Sequence, residues 1–131
     1  MQINDGRVVT NFIYQAINGN DITIYGTGEQ TRSFSYIEDT VNGILKIMTN
    51  SNSDVFNVGN DNEISIKFLA EKILELTNSN SKIIYKDLPK DDPKQRKPDL
   101  TKIKNKFNYE PMFSLEEGLK ITINWVKKNY K

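Results

Sequence analysis

Three arginines are the residues of this 131-residue chain best suited to binding chemistry. They are Arg7, Arg32 and Arg96, and the other fifteen basic residues are all lysines. A guanidinium is planar and always charged, so it holds a phosphate or carboxylate through two parallel hydrogen bonds, a task that an ammonium performs less well. All three arginines fall in segments with turn or loop character. The pattern predicts a site for a polyanionic ligand, although an ordinary surface ion pair would explain any single arginine.

Acid–base and metal chemistry have little support in the composition. The chain contains neither histidine nor cysteine, which removes the commonest general base, the commonest metal ligand and the thiolate. No tyrosine is followed four residues later by lysine, the spacing at which an ammonium can tune a tyrosinate base. Asp91 and Asp92 could hold a divalent cation, but Lys90 and Lys94 beside them favour a self-neutralising loop. We therefore expect no catalytic residue and no metal ligand in this chain.

The glycine pair Gly26-x-Gly28 has part of the pattern of a phosphate-binding loop. A third glycine does not follow, and no helical pattern begins there, so the dinucleotide fingerprint is incomplete. A turn that orients Gln30 and Arg32 is the better interpretation.

Charge and hydropathy exclude several kinds of partner. The 18 basic and 17 acidic residues are interleaved and leave a net charge of +1, so we expect neither a nucleic acid nor an anionic membrane as a partner. No apolar run approaches the roughly 20 residues of a membrane span, and the N-terminus lacks the pattern of a signal peptide. The sequence predicts one soluble, unsecreted domain over residues 1–131, located in the cytoplasm.

Helical and extended patterns alternate, which predicts an α/β fold with a small sheet, an exposed edge and flanking helices. Apolar spacing predicts three helices, at 9–17, 41–48 and 66–74, the last capped by Ser65. Extended patterns predict segments at 21–25, 30–36, 55–58 (a short buried strand) and 82–85. The proline-rich stretch 88–99 predicts a long loop. Asp99 is expected to cap a short helix, and Ser114 with Glu117 forms a capping box before the last one.

Three segments resemble the C-terminal part of the UDP-glucuronate decarboxylase (UDP-xylose synthase) family, which belongs to the extended short-chain dehydrogenases/reductases. They are Asn4–Ile13 (NDGRVVTNFI), Ile24–Arg32 (IYGTGEQTR) and Asp91–Asp99 (DDPKQRKPD). The resemblance extends over essentially the whole chain, and the third segment separates the decarboxylases from sibling epimerases and dehydratases. It implies the substrate-binding part of an extended enzyme. The N-terminal Rossmann domain, with its glycine-rich NAD loop and Tyr-x-x-x-Lys, is missing from this sequence.

The resemblance also implies roles for individual residues. Arg32 and Arg96 are expected to hold the UDP pyrophosphate and the sugar side of the substrate, and Arg7 is expected to contact the NAD side. Three further residues are expected to line the uridine: Thr10, Tyr25 and Gln30. In the family, NAD oxidises C4 of glucuronate, the C4 ketone accepts the electrons left by loss of CO2, and hydride return gives UDP-xylose.

Three functions remain open from the sequence. The first is the substrate-binding portion of a UDP-glucuronate decarboxylase, inactive without a Rossmann-domain chain or a full-length homologue as partner. The second is the same portion of a sibling epimerase or dehydratase. The third is a non-catalytic module that binds a UDP-sugar or a protein partner. Met1 lies where the family has an internal methionine, so we expect a truncated gene model, a split gene or internal initiation.

Overall fold

The computed structural model describes residues 7–49, 53–87 and 95–130. These residues form five helices and five strands. In chain order the elements are α1 Val8–Ile17, β1 Ile22–Tyr25, β2 Thr31–Ser33, α2 Ile37–Met48, β3 Glu63–Ser65, α3 Ile66–Thr77, β4 Ile83–Lys86, β5 Gln95–Arg96, α4 Thr101–Phe107 and α5 Leu115–Asn129. The predicted α/β class is confirmed. Among the described residues, none of the helices has the length and hydropathy that a membrane crossing requires.

The main core lies where α1, α3 and α5 pack together against β1. Each helix contributes an apolar stripe at helical spacing, and β1 contributes Ile22 and Ile24, both fully buried. A second, smaller core surrounds Leu100, Ile103 and Tyr109. Burial of these apolar side chains is the main stabilising term, since each fully buried aliphatic or aromatic residue contributes about 1.5–3 kcal/mol.

Two small sheets form on opposite sides of the Gly26–Gly28 turn. In the first sheet β1 and β4 are parallel, with Ile22 opposite Ile83. In the second, β2 is the central strand, antiparallel to β3 and parallel to β5. The turn therefore leads the chain from the edge of one sheet into the middle of the other.

Side-chain caps begin the helices where the sequence predicts them. The Ser65 hydroxyl accepts a hydrogen bond from the backbone N–H of Phe68 at the first turn of α3. Ser114 and Glu117 form the expected capping box at the beginning of α5. The cap expected at Asp99 differs in detail: the N-cap of α4 is Leu100, which makes no side-chain cap, and the Asp99 carboxylate accepts from the backbone N–H of Thr101. These caps satisfy backbone donors that a helix leaves unpaired at its N-terminus.

Two sequence predictions are wrong in detail. Residues 55–58 form no strand, because no neighbouring strand lies beside them within the described residues; Phe56 and Val58 instead pack on the second core. The predicted loop 88–99 contains a short strand, β5, which forms because β2 offers it a partner. The residues proposed for a cation-binding or self-neutralising loop, Asp91 and Asp92 with Lys90 and Lys94, lie outside the described residues.

Candidate functional site

The second sheet places two of the predicted ligand-binding arginines side by side. Arg32 on β2 and Arg96 on β5 are direct Cα partners in the parallel register. Adjacent strands are about 4.8 Å apart, and partners in register project to the same face of a sheet. The Arg32 guanidinium donates to the Thr31 carbonyl oxygen at 2.7 Å, and Arg96 is exposed. The pair presents two forked cations on one face, an arrangement suited to a diphosphate.

The nearest acidic side chain of this sheet is engaged on the other face. The Glu63 carboxylate accepts hydrogen bonds from the Gln95 amide at 2.7 Å and the Thr31 hydroxyl at 2.8 Å. These two donors are themselves Cα partners, one position before the arginine pair, so they lie on the opposite face. Hydrogen bonds from Gln95 and Thr31, with the nearby Lys97 ammonium, lower the pKa of Glu63. Glu63 therefore does not neutralise the arginine face.

The Gly26–Gly28 turn joins two of the predicted site residues, Tyr25 and Gln30. The Gln30 side-chain amide donates to the Tyr25 carbonyl oxygen at 2.6 Å and closes the turn. Gly28 has a φ of 80°, and a Cβ there would lie 3.1 Å from the Lys67 Cβ at the beginning of α3. A left-handed, closely packed position of this kind favours glycine. Tyr25 is half exposed at the end of β1, so this turn, and not a phosphate loop, positions Tyr25 and Gln30 beside β2.

The third arginine lines a cavity that the other two do not line. Arg7 is exposed at the beginning of α1 and lines a cavity of about 300 Å³ that also borders α2 and α5. Its walls are largely apolar and include Phe34 and the tilted ring pair Tyr36–Phe113, whose centroids are 4.6 Å apart. Phe34 follows Arg32 by two residues, so this cavity begins where β2 ends. Arg7 therefore lies at the cavity, whereas Arg32 and Arg96 lie together on the second sheet.

Thr10 is the predicted site residue that the fold makes least accessible. Its side chain lies in α1 and is 0% exposed. A ligand could contact Thr10 only after neighbouring groups move. Thr10 lies on the same side of α1 as the buried residues Ile13 and Ala16. Apolar residues at this helical spacing are the sequence signal that a position packs inside the protein.

A polar cleft beside β5 was not indicated by the sequence. It is lined by Gln95, Lys97, Asp99 and the ion pair between Lys104 and Asp61, whose charged atoms are 3.0 Å apart. The hydrogen bond from the Lys104 ammonium lowers the pKa of Asp61. Positions 61 and 104 are distant in the chain, so no local pattern could have revealed the cleft. Neither Arg32 nor Arg96 lines it, and Gln95 lies on the face opposite the arginine pair, so the cleft is a separate feature of this sheet.

The fold defines a class of protein, the C-terminal portion of the extended short-chain dehydrogenase/reductase epimerases and dehydratases. The structure superposes on UDP-glucose 4-epimerase of Thermotoga maritima, solved with UDP-glucose, with a TM-score of 0.90 and 33% identity over 95% of this chain and 40% of that one. It matches UDP-glucuronic acid 4-epimerase of Bacillus cereus, solved with UDP-glucuronic acid and NAD, with a TM-score of 0.89 and 25% identity over 95% of this chain and 41% of that one. The family model described as GDP-mannose 4,6 dehydratase matches residues 4–122. The chain belongs to the GDP-mannose 4,6 dehydratase family.

Curated relatives with higher sequence identity than these two solved structures are named UDP-glucuronic acid decarboxylases. UDP-glucuronic acid decarboxylase 1 of Xenopus tropicalis is 46% identical over 128 residues, which are 98% of this chain and 30% of the relative. UDP-glucuronic acid decarboxylase 1 of Arabidopsis thaliana is 44% identical over 119 residues, 91% of this chain and 27% of the relative. The chain therefore spans less than a third of the length of these curated relatives, and the resemblance seen in the sequence is confirmed.

Proposed function

We propose that this chain is the nucleotide-sugar-binding portion of an NAD-dependent UDP-glucuronate decarboxylase. Residues 1–131 would bind UDP-glucuronate, and the enzyme would release UDP-xylose and CO2. The chain would be inactive without the dinucleotide-binding part, supplied on the same polypeptide or a separate one. Support comes from the 46% identity to the Xenopus tropicalis decarboxylase and from the site described above.

The observation that carries the proposal is the register of Arg32 against Arg96. Two guanidiniums on one face can bind the two phosphates of UDP through charge-assisted hydrogen bonds, which are about twice as strong as neutral ones. Tyr25 and Gln30 would then lie on the uridine side, because the turn joins them to β2. Thr10 would reach the nucleotide only through rearrangement of the α1 surroundings, since it is fully buried.

The described residues would offer NAD one contact, Arg7, and no complete site. Arg7 lies at the mouth of an apolar cavity of about 300 Å³, which suits contact with one part of the cofactor. The Gly26–Gly28 turn does not form a phosphate cradle, because the Gly28 carbonyl accepts from the Lys67 backbone N–H at 3.0 Å and so occupies the beginning of α3. NAD would accept and return the hydride at C4 of the sugar. This chain would bind UDP, fix the orientation of the sugar ring and exclude water from it.

A sibling epimerase is the second candidate, favoured by the structural neighbours. Both the Thermotoga maritima and Bacillus cereus proteins are named 4-epimerases and match with TM-scores of 0.90 and 0.89. An epimerase and a decarboxylase would share the arginine pair, since both would bind a UDP-sugar. The product formed from UDP-glucuronate distinguishes them.

The test is a chimera in which this chain replaces the matching stretch of the Xenopus tropicalis relative. UDP-glucuronate and NAD are added, and the nucleotide sugars are separated by chromatography while released CO2 is trapped. UDP-xylose with an equal amount of CO2 is the expected result, and the chain alone should give no product. Formation of the C4 epimer without CO2 would instead assign the chain to an epimerase. The same chimera carrying Arg96→Ala is the matched control and should lose turnover at low substrate concentration.

A further inference from the structure

Strand β5 is too short and too exposed to fix its own position in the second sheet. It consists of Gln95 and Arg96, and both side chains are exposed. Its register with β2 consists of two Cα pairs, Thr31 with Gln95 and Arg32 with Arg96. Register is strongly specified where one face of a strand is buried, and a slip of one residue turns every side chain to the other face. A further contact is therefore needed to hold Arg96 on the same face as Arg32.

One carboxylate links all three strands of this sheet. Glu63 lies on β3, at the edge opposite to β5, and β2 lies between them. Its Oε1 accepts a hydrogen bond from the Thr31 hydroxyl on β2 at 2.8 Å and another from the Gln95 amide on β5 at 2.7 Å. Its Oε2 lies 3.8 Å from the Lys97 ammonium, directly after β5. Glu63 therefore connects β5 to both other strands.

The contacts of Glu63 assign the residues of β5 to the two faces of the sheet. Gln95 and Lys97 both reach the Glu63 carboxylate, so their side chains lie on its face. Side chains of consecutive strand residues alternate between faces, so Arg96 lies on the other face with its Cα partner Arg32. If β5 slipped by one residue, Arg96 would turn toward Glu63 and pair with it instead of facing a ligand beside Arg32.

We infer that Glu63 is a positioning residue for the anion site: it holds β5 in the register that places Arg96 on the same face as Arg32. Glu63 itself would contact no ligand there, because its carboxylate lies on the opposite face and is engaged by its three donors. The register is independent of what the arginines bind. That the anion is the diphosphate of UDP rests on the proposed function.

Charge and positioning predict opposite effects of removing Glu63. A carboxylate repels a nearby anion, so by charge alone Glu63→Ala should lower the Kd for UDP. By positioning, the same change should raise the Kd roughly 5- to 50-fold, because Arg96 loses its place. Glu63→Gln keeps an acceptor oxygen for Gln95 and Thr31 and should keep most of the affinity. Glu75→Ala removes an ion-paired carboxylate from α3 and is the matched control, which should leave the Kd unchanged.

Calorimetric titration with UDP measures these Kd values, and a double substitution tests whether Glu63 acts through Arg96. Glu63→Ala combined with Arg96→Ala should bind UDP no more weakly than Arg96→Ala alone, because the residue that Glu63 positions is already absent. An effect of Glu63 that does not pass through Arg96 would add its own loss. Gln95→Ala removes the β5 donor at an exposed position, so it should raise the Kd as Glu63→Ala does, and it keeps the test available if Glu63→Ala does not fold.

Nuclear Overhauser contacts between backbone protons of β2 and β5 report the register without any ligand. Contacts that join Arg32 to Arg96 are expected in the wild type and in Glu63→Gln, and they should be lost in Glu63→Ala and Gln95→Ala. The same contacts in all four proteins would overturn the inference. With a wild type that binds UDP, an unchanged or lower Kd in Glu63→Ala, or additive losses in the double variant, would overturn it as well. If the contacts are lost as expected but the wild type does not bind UDP, the positioning role of Glu63 is supported and the proposed function alone fails.

Discussion

Removal of the Arg96 guanidinium should weaken UDP binding without weakening the fold. Arg96 faces Arg32 across one strand spacing, and two unit charges 5–8 Å apart in water repel each other by about 0.5–0.8 kcal/mol. In Arg96→Ala this repulsion is gone, so the ligand-free chain should be equally stable or slightly more stable. The bound state loses a charge-assisted contact worth roughly 1.5–3 kcal/mol at an exposed position, which corresponds to a roughly 10- to 150-fold higher Kd.

Calorimetric titration of the chain with UDP measures this change, and thermal unfolding without UDP measures the stability. In a complete enzyme, where the contact would be buried, the loss should rise to roughly 2–5 kcal/mol. Arg96→Lys keeps the charge but not the fork, so its Kd should lie between those of the wild type and the alanine variant. Lys127→Ala removes the same charge from an exposed position on α5 and should leave the Kd unchanged. An unaltered Kd in Arg96→Ala, or a lower melting temperature without UDP, would refute the assignment.

Three further predictions concern the framework and are checked by denaturant or thermal unfolding. Gly43→Ala should lower the free energy of unfolding by about 1–3 kcal/mol, because its Cβ would meet Val58 at 2.5 Å; an unchanged value would contradict this packing. Asp39→Ala should cost roughly 2–4 kcal/mol, since two backbone N–H groups lose their acceptor. Hydrogen bonds from Ser114 lower the pKa of Glu117, so its stabilising effect is present above about pH 4.3 and is lost as the pH falls through the lowered pKa. The difference in melting temperature between wild type and Glu117→Gln should therefore shrink on acidification, and a constant difference would disprove the coupling.

Local patterns predicted most of the regular elements. Apolar spacing located α1, α2 and α3, and the Ser114–Glu117 pair located the beginning of α5, because these signals act between residues three or four positions apart. The strand expected at 55–58 is wrong for the opposite reason. A strand exists only when another segment pairs with it, and no strand of the described residues pairs with 53–58.

The sequence by itself determined the α/β class, the helix caps, the turn at Gly26–Gly28 and the small set of arginines able to hold an anion. The family resemblance that it carried is confirmed by the comparisons. Only the tertiary structure decided that Arg32 and Arg96 share one register, that Thr10 is buried and that α2 leaves large apolar side chains exposed. Short-range propensities depend on neighbours along the chain, whereas register and burial depend on segments that meet only after the chain has folded.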